Sequence, residues 1–351
     1  MPKISDALIL WYNHHQRDLP WRHTHDPYLI WVSEIILQQT QVVTGLDYYL
    51  RITKQYPTIS LMAAASEDEV LKMWQGLGYY SRARNMLATA RDIVNNHQGR
   101  FPNDYLSLLK LKGIGPYTAS AIASFAFHLT HAVVDGNVAR VLSRLFAMAE
   151  PIDSITGKKE LDQLAHSIMD MNQPGIHNQA MMELGALVCR PLAPLCSECP
   201  LNNLCHANNR GTQELFPIKN KRVAVRHRHL IYMYIEQNNK VLIGKRTEKD
   251  IWKGLYQLPD IETPHPIPHN QLNQAIAHAM GLSDSTFTAQ LLTETSHQLT
   301  HQKLHLSFVS LQFHRNNTSS TLLENYQAID KTQLHQYAFP KPLVTFLFAE
   351  S

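Results

Sequence analysis

Outside one short stretch this chain has no cysteine: of 351 residues, only Cys189, Cys196, Cys199 and Cys205 carry thiols. A disulfide framework of the kind that staples small secreted domains is therefore not expected. No apolar run reaches the roughly 18 residues that a membrane-spanning helix needs, so no membrane partner is expected. The opening MPKISDALILWYNHH reads as an amphipathic helix and lacks the h-region and cleavage site of a signal peptide, which points to a cytoplasmic protein. No internal repeat or low-complexity segment stands out. Nor does one sign of charge dominate, the formal net charge being +3. Residues 1–214 carry 18 Lys and Arg against 19 Asp and Glu, and residues 215–351 carry 14 against 10. A nucleic-acid footprint would have to be local, built from Arg82 and Arg84, Arg140 and Arg144, or the run Lys219–Arg228.

What is present is a core-forming composition, 44% apolar, and room for two or three domains. The four cysteines form the ladder C-x6-C-x2-C-x5-C. Two disulfides, one zinc ion or one iron–sulfur cluster could each use such a set. Zinc prefers two close-spaced pairs, and one is present here, Cys196 with Cys199. The wider outer gaps suit a four-iron, four-sulfur cubane.

Through residues 1–210 apolar residues recur at three- and four-residue spacing, predicting helices near 5–16, 28–43, 45–56, 67–74, 81–97, 104–110, 116–127, 137–147 and 158–171. Residues 211–228 are polar and basic and read as a linker. Beyond them HLIYMYIEQNNKVLIGKRT alternates around a QNNK turn, predicting a hairpin. A strand pair across 287–313, with helices near 269–280 and 340–349, makes this second part α+β. His297, His301 and His305 stand four apart and would share one face of a strand or a helix, as neighbouring polar groups or as a metal site.

Several segments carry chemistry. In LKGIGPYTASAIASFAF, Gly113 and Gly115 form a tight turn feeding a helix, where outward-pointing amides suit a phosphate; a plain helix–helix connection reads equally well. Asp135 precedes the helix of VVDGNVARVLSR and would cap it, its carboxylate kept ionised by the amides. Glu34 lies among Trp31, Val32, Ile35 and Ile36, either on a solvated edge or desolvated in a pocket that would raise its pKa. The run Gln38-Gln39-Thr40-Gln41 offers polar groups at a helix end. GLGYYSRARN offers Tyr79 and Tyr80 on a glycine turn followed by Arg82 and Arg84, a combination that suits a wedge backed by phosphate contacts.

Taken together, LPWR, WVSEIILQQTQV, GLGYYSRARN, LKGIGPYTASAI, VVDGNVARVLSR, QAMMELGALVC, the cysteine ladder and GLYQLP resemble the helix-hairpin-helix DNA glycosylases with an iron–sulfur cluster, most closely the MutY group of adenine DNA glycosylases. The resemblance covers nearly the whole chain. It implies a mainly α helix-hairpin-helix glycosylase domain with an iron–sulfur loop, plus a C-terminal α+β Nudix-like domain. The expected bounds are 1–214 for the catalytic region, with a six-helix barrel and hairpin at about 26–130 and the cluster loop at 189–205. A linker would follow at 215–228, and a Nudix-like 8-oxoguanine-recognition domain at 229–351.

The resemblance further implies a monomeric base-excision enzyme acting on double-stranded DNA that holds adenine opposite 8-oxoguanine or guanine. Glu34 would protonate the flipped adenine and Asp135 would stabilise the oxocarbenium-like sugar, a division of labour that two carboxylates in unlike surroundings can support. Tyr117 and Asn137 would complete the catalytic set, with Arg17, Leu19, Trp21, Arg22 and Gln179 around the extruded base. Gln38, Gln39, Tyr79, Arg82, Gly113 and Gly115 would meet DNA, and the four cysteines would hold one 4Fe-4S cluster. In the related endonuclease III a lysine nucleophile stands where this chain has Tyr117, so an abasic-site lyase is the alternative that the sequence disfavours; a catalytically silent DNA-binding scaffold is another. HNQLNQAIAHAMGLSD contains no glutamate where a Nudix hydrolase needs its metal-binding box, so no pyrophosphohydrolase activity is expected. Leu299-Thr300-His301 stands where the family uses Phe-Ser-His, making Thr300 and His301 the expected contacts to 8-oxoguanine.

Overall fold

The computed structural model describes residues 4–220, 225–314 and 323–349. Residues 221–224, inside the expected linker and the basic run, lie outside the described residues. The chain divides into two compact units, residues 1–64 with 85–222, and 65–84 with 223–351. In chain order the helices of residues 1–210 are α1 (Ile4–His15), α2 (Pro27–Leu37), α3 (Val42–Gln55), α4 (Ile59–Ala64), α5 (Glu67–Met73), α6 (Ser81–Asn96), α7 (Tyr105–Lys110), α8 (Pro116–Phe127), α9 (Gly136–Leu145), α10 (Ile155–Ser167), α11 (Pro174–Leu187) and α12 (His206–Asn209).

The first unit is helical, and its helix starts are written in the sequence. Asp26 caps α2 by accepting from the Tyr28 amide at 2.8 Å, and Pro27 occupies the first helical position. At the start of α8, Pro116 likewise takes the first helical position, after Gly115, which makes no side-chain cap. One core gathers Leu8 and Trp11 of α1, Val141 and Leu142 of α9, Leu161 of α10, and Met181 and Leu184 of α11. Elsewhere in the unit α2 packs against α8, burying Ile30, Trp31 and Ile36 of α2 and Ile122 of α8.

The helices depart from the sequence periodicity in several places. The helix expected over 28–43 stops at Leu37, because Gln38 turns extended and Gln39 takes a left-handed φ of 59° before α3 begins. The periodicity gives no sign of α4, a six-residue helix in which Ile59 and Met62 are the buried residues. It also misses α11, since that helix buries His177, Asn178 and Glu183 alongside its apolar residues and so shows no clean stripe. Pro174 and Gly175 open that helix.

The second unit holds two four-stranded sheets. One has the order β5 (Asp260–Thr263), β1 (Arg226–Tyr234), β7 (Gln302–Phe313), β6 (Phe287–Gln298), with β1 parallel to β7 and the outer pairs antiparallel. The other joins β2 (Glu236–Gln237), β3 (Lys240–Lys245) and β4 (Tyr256–Gln257), with β8 (Gln327–Asp330) also on β3. Helix α13 (Leu272–Met280) covers Ile231, Met233, Val309 and Leu311, and α14 (Lys341–Leu347) lies near the end of the chain.

The expected hairpin is smaller than the alternation suggests. The turn at Asn238 and Asn239, both at positive φ, joins only β2 and β3, while β1 runs in the other sheet beside β7. His297, His301 and His305 do not share a face: they fall on β6, in the following turn and on β7. His305 stacks with His229 at 4.7 Å, whereas His297 lies against Trp252. No described helix is long and apolar enough to cross a membrane.

Candidate active site

In the first unit a cavity of about 180 Å³ is walled by α2, α8, α11 and the segments before α2 and α9. Glu34 reaches it from α2. At 4% exposure the Glu34 carboxyl is desolvated rather than on a solvated edge, and burial pushes it up to about 7. The Tyr117 hydroxyl, from the first turn of α8, donates to Glu34 Oε2 at 2.5 Å and works in the opposite direction by favouring the ion. Asp135 adds a like charge that raises Glu34 further, and Arg22 lowers it.

Asp135 caps α9 as its position suggests. Its Oδ1 accepts from the Val138 amide at 2.7 Å and its Oδ2 from Asn137 Nδ2 at 2.8 Å. The expected ionising effect of those amides is real, yet burial outweighs it and the Asp135 carboxyl sits above the ordinary aspartate value. Both carboxylates are thus raised, and what separates them is hydrogen bonding: Asp135 accepts amide donors, whereas Glu34 receives a phenol.

Two further contacts fix Asp135. Buried Asn178 of α11 accepts from the Val133 amide at 3.1 Å and donates to the His131 carbonyl at 2.8 Å, fastening the segment that leads into the cap. Arg140, one turn into α9, donates to Asn137 Oδ1 at 2.9 Å, to the Gly185 carbonyl at 2.8 Å and to the Cys189 carbonyl at 2.7 Å. A Cβ on Gly185 would stand 2.6 Å from Asn137 Cβ, so α11 approaches the cap only because residue 185 has no side chain.

The opposite wall was partly missed in the sequence. Leu19 and Trp21 are buried there, and Arg17 and Arg22 both converge on Glu183, a fully buried carboxylate outside the expected base-pocket set. Burial alone would raise Glu183, but the two guanidiniums and the Arg17 amide more than offset that and hold it at about 2. Gln179 accepts from the Tyr12 hydroxyl at 2.7 Å, and Tyr12 too was missed. The available signal was the one used for Glu34: a lone acid inside an apolar helix, QAMMELGALVC.

The residues assigned to DNA contact scatter more widely. Gln38 and Gln39 do not line the cavity; Gln38 Nε2 donates to Thr118 Oγ1 at 3.3 Å. Gly113 has a φ of 79°, and a Cβ there would come within 2.8 Å of Asn85 Cβ. Gly115 is extended, and a Cβ on it would meet nothing, so the space before α8 is open. In the second unit Tyr79 is exposed, takes a φ of 46° and hydrogen-bonds through its hydroxyl to that of Thr300. Both line a cavity of about 440 Å³ with Trp252, Leu299 and His301. Arg82 departs from expectation. It is buried at 9% exposure, stacks on Trp74 and donates to the carbonyls of Leu77 and Gly78, so it braces the turn from within.

The basic run is also redirected: Arg228 is buried in ion pairs with Asp250 and Glu262. All four cysteines line one small cavity among Val141, Leu145, Leu184 and Val188. No three His, Cys, Asp or Glu side chains among the described residues converge as a single-ion site; the thiols surround a space instead. The thiols crowd together in largely apolar surroundings, where burial raises Cys199 to about 12 and raises Cys205, and neighbouring thiols add to both; such a donor set suits a cationic centre. Arg144 Nη1 lies 3.3 Å from Cys189 Sγ, and Gln213 Nε2 lies 3.7 Å from Cys196 Sγ, donors suited to charged sulfur.

Residues 32–166 match the HhH-GPD superfamily of base excision DNA repair proteins, and residues 231–348 match the NUDIX domain. Over 59% of its length the chain resembles a solved thermostable thymine-DNA glycosylase, with 29% identity and a TM-score of 0.55, covering 95% of that chain. Fold and site together define a DNA glycosylase of base-excision repair, a hydrolase that acts on DNA. The adenine DNA glycosylase of Buchnera aphidicola (Baizongia pistaciae) is 34% identical over 86% of this chain and 84% of its own length. The human adenine DNA glycosylase is 46% identical over 59% of this chain, which spans 40% of that longer protein. The chain belongs to the adenine DNA glycosylase family.

Proposed function

We propose that this enzyme, as a monomer, removes adenine paired with 8-oxoguanine or guanine, by hydrolysing the N-glycosidic bond of a flipped nucleotide and without a lyase step. The observation that carries this reading is Glu34: a buried carboxyl held at about 7 and in contact with Tyr117 is protonated often enough at neutral pH to give a proton to a base. Adenine is a poor leaving group until protonated. Asp135, held by Asn137 and the start of α9, then stabilises the positive charge that develops on the sugar. Arg17, Leu19, Trp21, Arg22 and Gln179 surround the base. Gly113 and Gly115 receive phosphate, Gln38 and Gln39 meet the stack that the base leaves, and Tyr79 wedges beside it. The absence of a lysine at Tyr117 supports the monofunctional assignment.

The Nudix-like domain reads the opposing 8-oxoguanine through Thr300 and His301, and performs no pyrophosphate hydrolysis because α13 carries no acidic residue. The four thiols fit a 4Fe-4S cluster. Held there, it would supply the positive charge that the thiolates need and tie loop 189–205 to α9. Four irons and four acid-labile sulfides per chain would be found in the purified protein.

The test is single-turnover cleavage of a duplex with adenine opposite 8-oxoguanine, comparing wild type with Glu34→Gln and strands with and without alkali. Breaks that need alkali and disappear in the variant are expected. Breaks without alkali would favour a lyase, and intact strands with tight binding a silent scaffold.

A further inference from the structure

Tyr117 and Asp135 face two cavities. One is the pocket described above. The other, about 500 Å³, lies between the start of α8, the segment leading into α9, and α10. The two cavities have no lining residue in common except Tyr117 and Asp135. The larger one has an apolar floor that includes Pro116, Val134 and Leu161, and Lys158 of α10 stands over it. The Lys158 ammonium has no ion pair or hydrogen bond among the described residues. Its other charged groups are Asp135, at the shared wall, and Asp162, whose carboxylate lies 3.5 Å from His166 Nδ1. Gly136 leaves the space beside Asp135 open, since a Cβ there would meet nothing within 4 Å.

We propose that this second cavity seats the deoxyribose–phosphate backbone next to the nucleotide whose base enters the smaller pocket, with Lys158 as a phosphate contact. The inference rests on the glycosylase reading and adds a site to it. A base and its sugar are joined by one bond. With the base beside Glu34 and Asp135 facing its sugar, the larger cavity, which Asp135 also lines, is open space adjoining that sugar and takes the backbone that continues from it. An apolar floor fits the face of a deoxyribose, and an unpaired ammonium at the rim fits the phosphate that follows it. Lys159, the next residue, does not line the cavity and serves as the control.

The experiment is the affinity of the intact enzyme for a duplex carrying a tetrahydrofuran abasic site, measured across a range of salt concentrations for wild type, Lys158→Ala, Lys158→Arg and Lys159→Ala. Lys158→Ala should weaken binding by roughly three- to tenfold at low salt and reduce the salt slope by about one. Lys158→Arg should restore both, and Lys159→Ala should change the slope by clearly less. Equal losses at both lysines, no loss at either, or a weaker affinity with an unchanged slope would overturn the proposal. The probe contains no adenine, so its binding is independent of whether adenine is the base removed.

Discussion

Tyr117 and Glu34 meet across 83 residues of sequence, hydroxyl to carboxylate, at 2.5 Å inside a buried pocket. The contact sets the acid between two opposing forces. Burial raises the carboxyl and the phenol lowers it, with burial the larger. An acid poised in this way is neither permanently charged nor permanently neutral near pH 7.

Removing the phenol should therefore shift the balance toward the proton. In Tyr117→Phe the Glu34 carboxyl loses a donor that favours its ion, so its pKa rises. The alkaline limb of the single-turnover rate of base removal, followed from pH 6 to 9, should move to higher pH. An unmoved limb would mean that a different group controls it.

Glu34 also makes stability depend on pH. Its folded value of about 7 lies above the ordinary value of 4.5, so the folded state binds more protons and loses stability as pH rises from 4.5 through 7. The loss reaches about 3 kcal/mol above that window. Glu34→Gln, which cannot ionise, should be more stable than wild type at pH 8, with the advantage gone near pH 4.5. Denaturant midpoints at the two pH values measure this.

Glu183 has the opposite sign. Its folded value of about 2 lies below 4.5, so its contribution is fully present above 4.5 and is lost as pH falls toward 2. Glu183→Gln should destabilise the protein by about 3–5 kcal/mol at neutral pH by leaving two guanidiniums without their anion. Its stability should also respond less to acid than that of the wild type. Chemical denaturation between pH 3 and 7 would show both effects.

Gly185→Ala should impair chemistry more than folding. The added methyl would stand 2.6 Å from Asn137 Cβ and 2.9 Å from its backbone oxygen, and Asn137 holds Asp135, so the start of α9 must shift by more than a few tenths of an ångström. Misplacing a catalytic group on that scale lowers rates steeply, and a drop on the order of tenfold or more in single-turnover rate is expected with binding of abasic DNA retained. A full rate in this variant would show that Asp135 does not depend on that packing.

Much of this site was legible because its residues sit in segments whose local signals agree: Asp135 before a helix, Gly113 in a tight turn, Glu34 among large apolar neighbours. What escaped was set by long-range packing. Glu183 reads as an ordinary helix acid until Arg17 and Arg22 arrive from 161 or more residues away. Arg82 reads as a surface cation until its turn folds around it. The parallel pairing of β1 with β7 is invisible locally because the nearer turn, Asn238–Asn239, suggests a simple hairpin. The four-residue histidine spacing fails for the same reason, since a turn separates its members.

The bonds from Arg17 to Glu183 and from Tyr12 to Gln179 also impose an order in time. A ribosome adding about 5–20 residues per second delivers Tyr12 and Arg17 roughly eight to thirty-three seconds before their partners exist. Until then α1 lacks its packing neighbour α11, Arg17 just beyond α1 lacks its anion, and the base pocket lacks a wall. Synthesis of the cysteine loop follows almost at once. A growing chain thus holds no finished pocket until most of its catalytic half has been made.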